Sequence, residues 1–436
     1  MEKLLKLAAE QDYQAEIFSK TSRENGISMQ NGLLQDIESN FRAGLSLRII
    51  RDGKLGFAYT KNLKDRQTLL QDAIDSMTGG VPAPFSFPKT DGLADLDNYS
   101  SAIEEVSNTQ VATEVIRVSD FLRRQTSGEV HIDAGVSTDT IRLLNTSGTD
   151  VSTRYSEYGI RAGISFPGSA AGISRYIMAK DFEKMPDEVI TDVLETFAAA
   201  EPVVQPAGGN MQVMFMPGSM HTLTWRIAAG LNAKQIHEKI SPLTGRLGEK
   251  IWSDKLTIYD DPTDCRFPAS RPFDDEGVPC SRFSLVDQGV LTSIYADLNY
   301  AGKMNISPTG HGFRSGMWGG DATALKPIPA LSRMIIQPGE QSMAEMLKQI
   351  DRGILLYGAL GPHSGNIDHG DFSVGASPGL YVENGKITGQ VKDAMVAGNI
   401  YEMFNNLLAV GNKLYPVHGG QSPALLFGDV SVATRG

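Results

Sequence analysis

The stretch GLSLRIIRDGKLGFAYT, residues 44–60, decides the fold class. Leu45, Leu47 and Ile49 alternate onto one face of an extended segment, and Leu55, Phe57 and Tyr59 do the same on the return. Asp52–Gly53 between them supplies a tight turn, because both of its positions need positive φ. Two strands joined this way are antiparallel neighbours. On the N-terminal side, Asn31–Gly32 marks a second turn between two short extended segments, and AEIFSK (15–20) has strand character. The opening MEKLLKLAAE reads as an amphipathic helix with Leu4, Leu5, Leu7 and Ala8 on one side. On the C-terminal side, the pattern predicts a helix over 62–77 ending near Gly79–Gly80, a loop over 79–101 rich in Gly, Pro, Asp and Ser, and a helix over 103–126. Strands of an antiparallel sheet follow over 129–176, then a helix over 184–200.

EPVVQPAGGN (201–210) carries two Pro and two Gly in ten residues, which predicts a domain boundary. The expected division is an N-terminal and central α+β domain over 1–205 and a β-rich domain over 206–436. The second opens with a strand, MQVMFMPG, and a helix over 219–240 with Leu223, Ile227, Ala228, Leu231 and Ile236 on one stripe and Pro242 as terminator. Short strands and Gly-rich turns fill the rest, Asn384–Gly385 among them, with short helices at 341–351 and 399–407. The fold class expected is therefore α+β: a helix-plus-antiparallel-sheet region, then an antiparallel, barrel-like β domain with attached helices.

A net charge of −11 over 436 residues repels phosphate backbones, and no local basic patch offsets it, so nucleic acid is not an expected partner. No apolar run approaches the length of a membrane span, and the N-terminus lacks the apolar core and cleavage site of a signal peptide. With only two cysteines, Cys265 and Cys280, a reducing compartment with free thiols is the simpler reading, and the expected location is cytoplasmic.

The single His-Glu pair, His237–Glu238, invites a zinc-protease reading. That chemistry needs a second His about one turn on, with the Glu as general base between them. Positions 241 and 242 are Ser and Pro, so neither HExxH nor HExxxH is completed. GASPG (375–379) matches the spacing of a nucleophile elbow around Ser377, but a strand and hairpin follow where the elbow needs a helix. His363, His369 and Asp371 share a Gly-rich loop whose spacing enforces no ligand geometry. His311 and His418 each stand beside glycine and are candidates to line a cleft, as are His237, His363 and His369.

Several segments together resemble the TldD/PmbA family of peptidases, once called modulators of DNA gyrase. They are NGLLQDIES, GLSLRIIRDGKLGFAYT, NTSG (145–148), FPASRPFDDEGVP (267–279), SLVDQGVLTSIYADLNYAGKM (284–304), SPTGHGFR (307–314), GDFSVGASPGLYVENGKITGQV (370–391) and AGNIYEMFNNLLAVGN (397–412). In the family, TldD-like chains carry HExxxH on a helix early in the C-terminal domain, and PmbA/TldE-like chains lack it and pair with a TldD-like chain. GRLGEKIWSDKLTIYDD (245–261) sets the register, and counting back places the motif on residues 224–229. Thr224 and Ala229 stand at the ligand positions and Trp225 at the general-base position, and none can bind zinc or take a proton there.

The resemblance thus implies a PmbA/TldE-like, non-catalytic subunit with no metal of its own. Zinc is expected on a TldD-like partner in a heterodimer, a homodimer forming when the chain is alone, with unfolded or small peptides as substrate. Two alternatives stand beside it: an independent peptidase with a relocated metal site at His363, His369 or His418, and a non-proteolytic regulator of gyrase or another partner.

Overall fold

The computed structural model describes residues 1–316 and 319–435. A six-stranded antiparallel sheet forms the first layer, from β1 (Gln14–Gln30), β2 (Leu33–Arg51), β3 (Lys54–Thr60), β4 (Glu129–Asn145), β5 (Asp150–Ser165) and β6 (Gly172–Ala179), in the order β3-β2-β1-β4-β5-β6. The expected turns are there: Asn31 and Gly32 join β1 to β2, Asp52 and Gly53 join β2 to β3, and all four have positive φ. The short segments expected around Asn31–Gly32 are instead the distal ends of strands 17 and 19 residues long. From Leu33 to Ala43 β2 pairs only with β1, because β3 begins its pairing opposite Leu45.

Helices cover this sheet by the 3.6-residue periodicity of their apolar positions. α1 (Glu2–Ala9) and α2 (Arg66–Ser76) bury Leu4, Ala8, Leu69 and Leu70 against Ile17, Leu47 and Ile49. Asp65 caps α2 by accepting from the Thr68 amide. α3 (Asn108–Arg123) and α4 (Asp187–Ala200) pack Val115, Val118, Leu122 and Phe197 against Ile132 and Ile160.

The C-terminal region is built on a sheet curled into a half-barrel. It is mostly antiparallel, but two of its pairings are parallel: β7 (Val203–Val204) with strand Lys386–Val391, and β8 (Gly209–Phe215) with strand Arg352–Leu356. β8 shows how the sheet serves two cores. Its side chains alternate, so Val213 and Phe215 belong to a core with α5 (His221–Leu231), while Met214, and Met216 just beyond the strand, belong to the core that α3 and α4 help to form. Each fully buried aliphatic or aromatic side chain here stabilises by roughly 1.5–3 kcal/mol.

The helix expected over 219–240 is two helices. Asn232 leaves the helical region at φ −76°, ψ 125° and caps α6 (Ala233–His237) by accepting from the Lys234 amide. Pro242 is not the terminator, because α6 ends at His237 and the left-handed Lys239 already turns the chain. GASPG is the short link from strand Asp371–Ala376 to strand Gly379–Glu383, which pair with other strands and not with each other, so a strand rather than a helix follows Ser377. Cys265 and Cys280 are unpaired. No helix is long and apolar enough to cross a membrane among the described residues.

Candidate functional site

α5 holds the slot singled out by register. Its stripe of Leu223, Ile227 and Leu231 is buried against Phe215, Phe372, Phe427 and Ile354. Thr224 faces inward too, and its Oγ1 is buried with no hydrogen-bond partner, as is that of Thr222. Trp225 and Ala229 are half-buried on the other side. A Cβ at Gly230 would lie 2.3 Å from the Tyr401 hydroxyl, so a larger residue there would have to displace that ring.

Arg226, inside the slot, fixes the helix to a distant loop. Its Nε donates to Asp371 O at 2.7 Å, Nη2 to Ser364 O at 2.8 Å, and Nη1 to both Pro362 O at 2.9 Å and Thr222 O at 2.7 Å. It is fully buried, and every partner is a carbonyl. Burial pushes the guanidinium down to about 10, with Asp371 opposing. The loop 362–371 that carries His363 and His369 is thereby locked onto α5, and Gln235 adds a bond to Asp368 at 2.9 Å.

One residue that sequence reasoning missed lies a turn before Thr224. His221 stacks on Trp225, ring centroids 5.0 Å apart, and meets His418 edge-on at 4.6 Å. Burial, then His418 and Arg226, push the His221 pKa down to about 4, so the ring is neutral at pH 7. The i, i+4 spacing of His221 and Trp225 was the available signal. The contact with His418, 197 positions away, left no local trace.

The other candidates are dispersed. His237 is exposed at the end of α6, 6.0 Å from the Tyr300 ring, and Glu238 accepts from the Tyr300 hydroxyl at 2.9 Å. The pair is bound to α7 (Leu298–Met304) and faces no slot. His311 is no cleft wall: it is 1% exposed, bonded to Thr309 Oγ1 at 2.9 Å, with Nε2 3.3 Å from Asp260 Oδ2 and Phe283 and Tyr295 against its ring. His369 is exposed and bonded to Asn366 at 2.7 Å, and His363 is exposed on the same loop. Among the described residues no three His, Cys, Asp or Glu side chains converge as a metal ligand set.

A second charged cluster joins the N-terminal sheet to the segment 271–276. Arg48 grips Glu16, its cross-strand neighbour, through Nε at 2.9 Å and Nη2 at 2.8 Å, and reaches Glu276 through Nη1 at 2.6 Å. Asp274 accepts three backbone N–H groups, from Glu276, Val278 and Gly312. Burial, then Glu276, raise Asp297 to about 7.

Residues 208–434 match the PmbA/TldA metallopeptidase C-terminal domain, and residues 15–77 match domain 1 of the same family. The first match alone spans more than half of the chain. The chain belongs to the PmbA/TldA metallopeptidase family. A Methanothermobacter thermautotrophicus protein described as a metalloprotease is 28% identical over 91% of this chain and 88% of its own length. TldE from Thermococcus kodakarensis superposes with a TM-score of 0.90 at 23% identity, over 99% of each chain. A Thermotoga maritima protein described as a candidate modulator of a DNA gyrase superposes at 0.86 and 24% identity, over 99% of each chain. For this PmbA/TldA-family chain the two superpositions establish the shared fold.

Proposed function

We propose that this chain is the TldE-like, non-catalytic subunit of a cytoplasmic TldD/TldE-type metallopeptidase that acts on unfolded or small peptides. One observation carries the reading: the slot helix is built and buried, yet offers Thr224, Trp225 and Ala229 where zinc chemistry needs two imidazoles and a carboxylate. The donor set does not fit a metal. A buried guanidinium, Arg226, sits between those positions and opposes a cation. The chain's own part is to complete the complex and hold extended substrate. The free edge of β2 over Leu33–Ala43 is suited to that, since it presents unpaired backbone groups to a strand. The zinc, the general base and the hydrolytic step belong to the TldD-like partner.

A second reading has one observation in its favour. The contact of His221 with His418 puts two imidazoles side by side beside the slot, half of a relocated metal site. Co-expression with a TldD-like chain separates the two. The subunit reading expects chelator-sensitive cleavage of unfolded peptides by the complex and none by this chain alone. Zinc-dependent cleavage by the lone chain would establish the second reading and overturn the first.

A further inference from the structure

Between the N-terminal sheet and the segments 271–275, 313–315 and 330–332 lies a cavity of about 220 Å³ that no step above uses. Ligand pockets for drug-sized molecules run from about 300 to 1,000 Å³, so this one suits a single small group. Its walls mix cationic and apolar groups. Lys20, Arg271 and Arg314 bring three cations to it, against one carboxylate, Asp275. Phe18, Ile141 and Phe313 add apolar surface among them.

The cations are held in place but not fully used. Lys20 lies 2.8 Å from Asp139 and 3.4 Å from the Tyr155 hydroxyl. Arg271 Nη2 lies 2.7 Å from Asp275 Oδ1, and Arg314 Nη1 donates to Leu325 O at 2.6 Å, with Nη2 3.5 Å from Glu16. Arg271 Nε and Arg314 Nε are buried and have no acceptor. The Arg314 side chain is fully buried. Charged donors left without a partner in an interior are rare and costly, and both of these belong to residues that line the cavity. Both guanidinium groups lie over aromatic rings, Arg314 at 4.4 Å from the Phe18 centroid and Arg271 at 5.2 Å from that of Phe313. Their orientation is therefore set before any ligand arrives.

We propose that this cavity binds a small carboxylate with an apolar body, the chemistry shared by the C-terminal residue of a peptide and a free branched-chain carboxylic acid. Planar guanidinium groups match a carboxylate; Lys20 and Arg271 are each paired, with Asp139 and Asp275, which leaves Arg314, whose nearest carboxylate Glu16 is shared with Arg48, as the charge a single anion would balance. The apolar surface takes the aliphatic body, which a phosphate lacks. Binding here does not depend on the subunit reading; only the peptide source does.

The test is calorimetric titration of the purified chain. N-acetyl-leucine is expected to bind saturably, its carboxamide at least about tenfold more weakly, and inorganic phosphate not at all. 4-Methylpentanoate identifies the source: tighter binding of N-acetyl-leucine marks a peptide end, and equal or tighter binding of the plain acid marks a free acid. Lys20→Met is expected to weaken binding about tenfold or more, and Lys20→Arg to retain it. Ala330→Leu fills the cavity without touching a charge and is expected to abolish binding, so the test survives if Lys20→Met folds poorly. Equal binding of acid and carboxamide, binding of phosphate as tight as that of N-acetyl-leucine, no saturable binding, or unchanged binding to Ala330→Leu would each overturn the proposal. None of these readouts involves peptide cleavage, so failure here is distinct from failure of the subunit assignment.

Discussion

Two buried arginines, Arg226 and Arg48, are held in opposite ways. Among the described residues Arg226 on α5 has no carboxylate within hydrogen-bond reach; four carbonyl bonds hold it. Arg48 at the sheet junction is clasped by two carboxylates, Glu16 and Glu276. The first environment favours neutral neighbours and disfavours cations, as the depressed His221 shows. The second carries surplus carboxylate, as the raised Asp297 shows. Where its two layers meet, the chain has invested in paired charge.

Breaking the junction should have the largest effect. Arg48→Ala leaves Glu16 and Glu276 buried without their cation and should cost roughly 3–5 kcal/mol, seen as a large drop in urea midpoint. Breaking the slot clamp comes next. Arg226→Met strands the carbonyls of Pro362, Ser364 and Asp371 and should cost about 2–3 kcal/mol, with faster amide exchange confined to 362–371.

The two regions should also answer pH with opposite sign. His221 has its folded pKa depressed from 6.5 to about 4, so its stabilising contribution is present above pH 6.5 and lost as pH falls through about 4. Asp297 is raised from 3.8 to about 7, so its contribution is present below pH 3.8 and lost as pH rises through about 7. Between pH 4 and 7, His221→Gln should therefore remove a stability that rises with pH, and Asp297→Asn one that falls. Denaturant midpoints measured across that range separate them; parallel slopes in the two variants would contradict the contrast. Asp297→Asn keeps the cap that Asp297 supplies to the Tyr300 amide, so helix loss should not confuse the result. The smallest effect belongs to the exposed His237. His237→Ala should change stability by less than about 0.5 kcal/mol and leave the activity of any complex unchanged.

Much of this was legible in the sequence. The three hairpin turns carry Asn-Gly or Asp-Gly, whose φ requirements are local, and each is where the residues put it. α2, α3 and α4 announce themselves by apolar period. The true length of β2 was hidden because its distal half is exposed on both faces, so alternation fails there, while β1 shows alternation again only at its far end, where Ile27 and Met29 are buried. The break at Asn232 was masked because the apolar stripe runs on to Ile236 across it. The pairing of β8 with Arg352–Leu356, the burial of His311 beside Asp260 and the meeting of His221 with His418 all join residues far apart in the chain. Local pattern carries no information about such pairs. Residues 224–229, singled out by register, lie on α5.

The central claim is that the metal of this system sits on the other chain. Its most direct test is zinc content per complex after His221→Ala and His418→Ala together in this chain, compared with loss of the first histidine of HExxxH in a TldD-like partner. The account predicts unchanged zinc and activity for the double variant, and loss of both for the partner variant. Zinc that falls with His221 and His418 would contradict it.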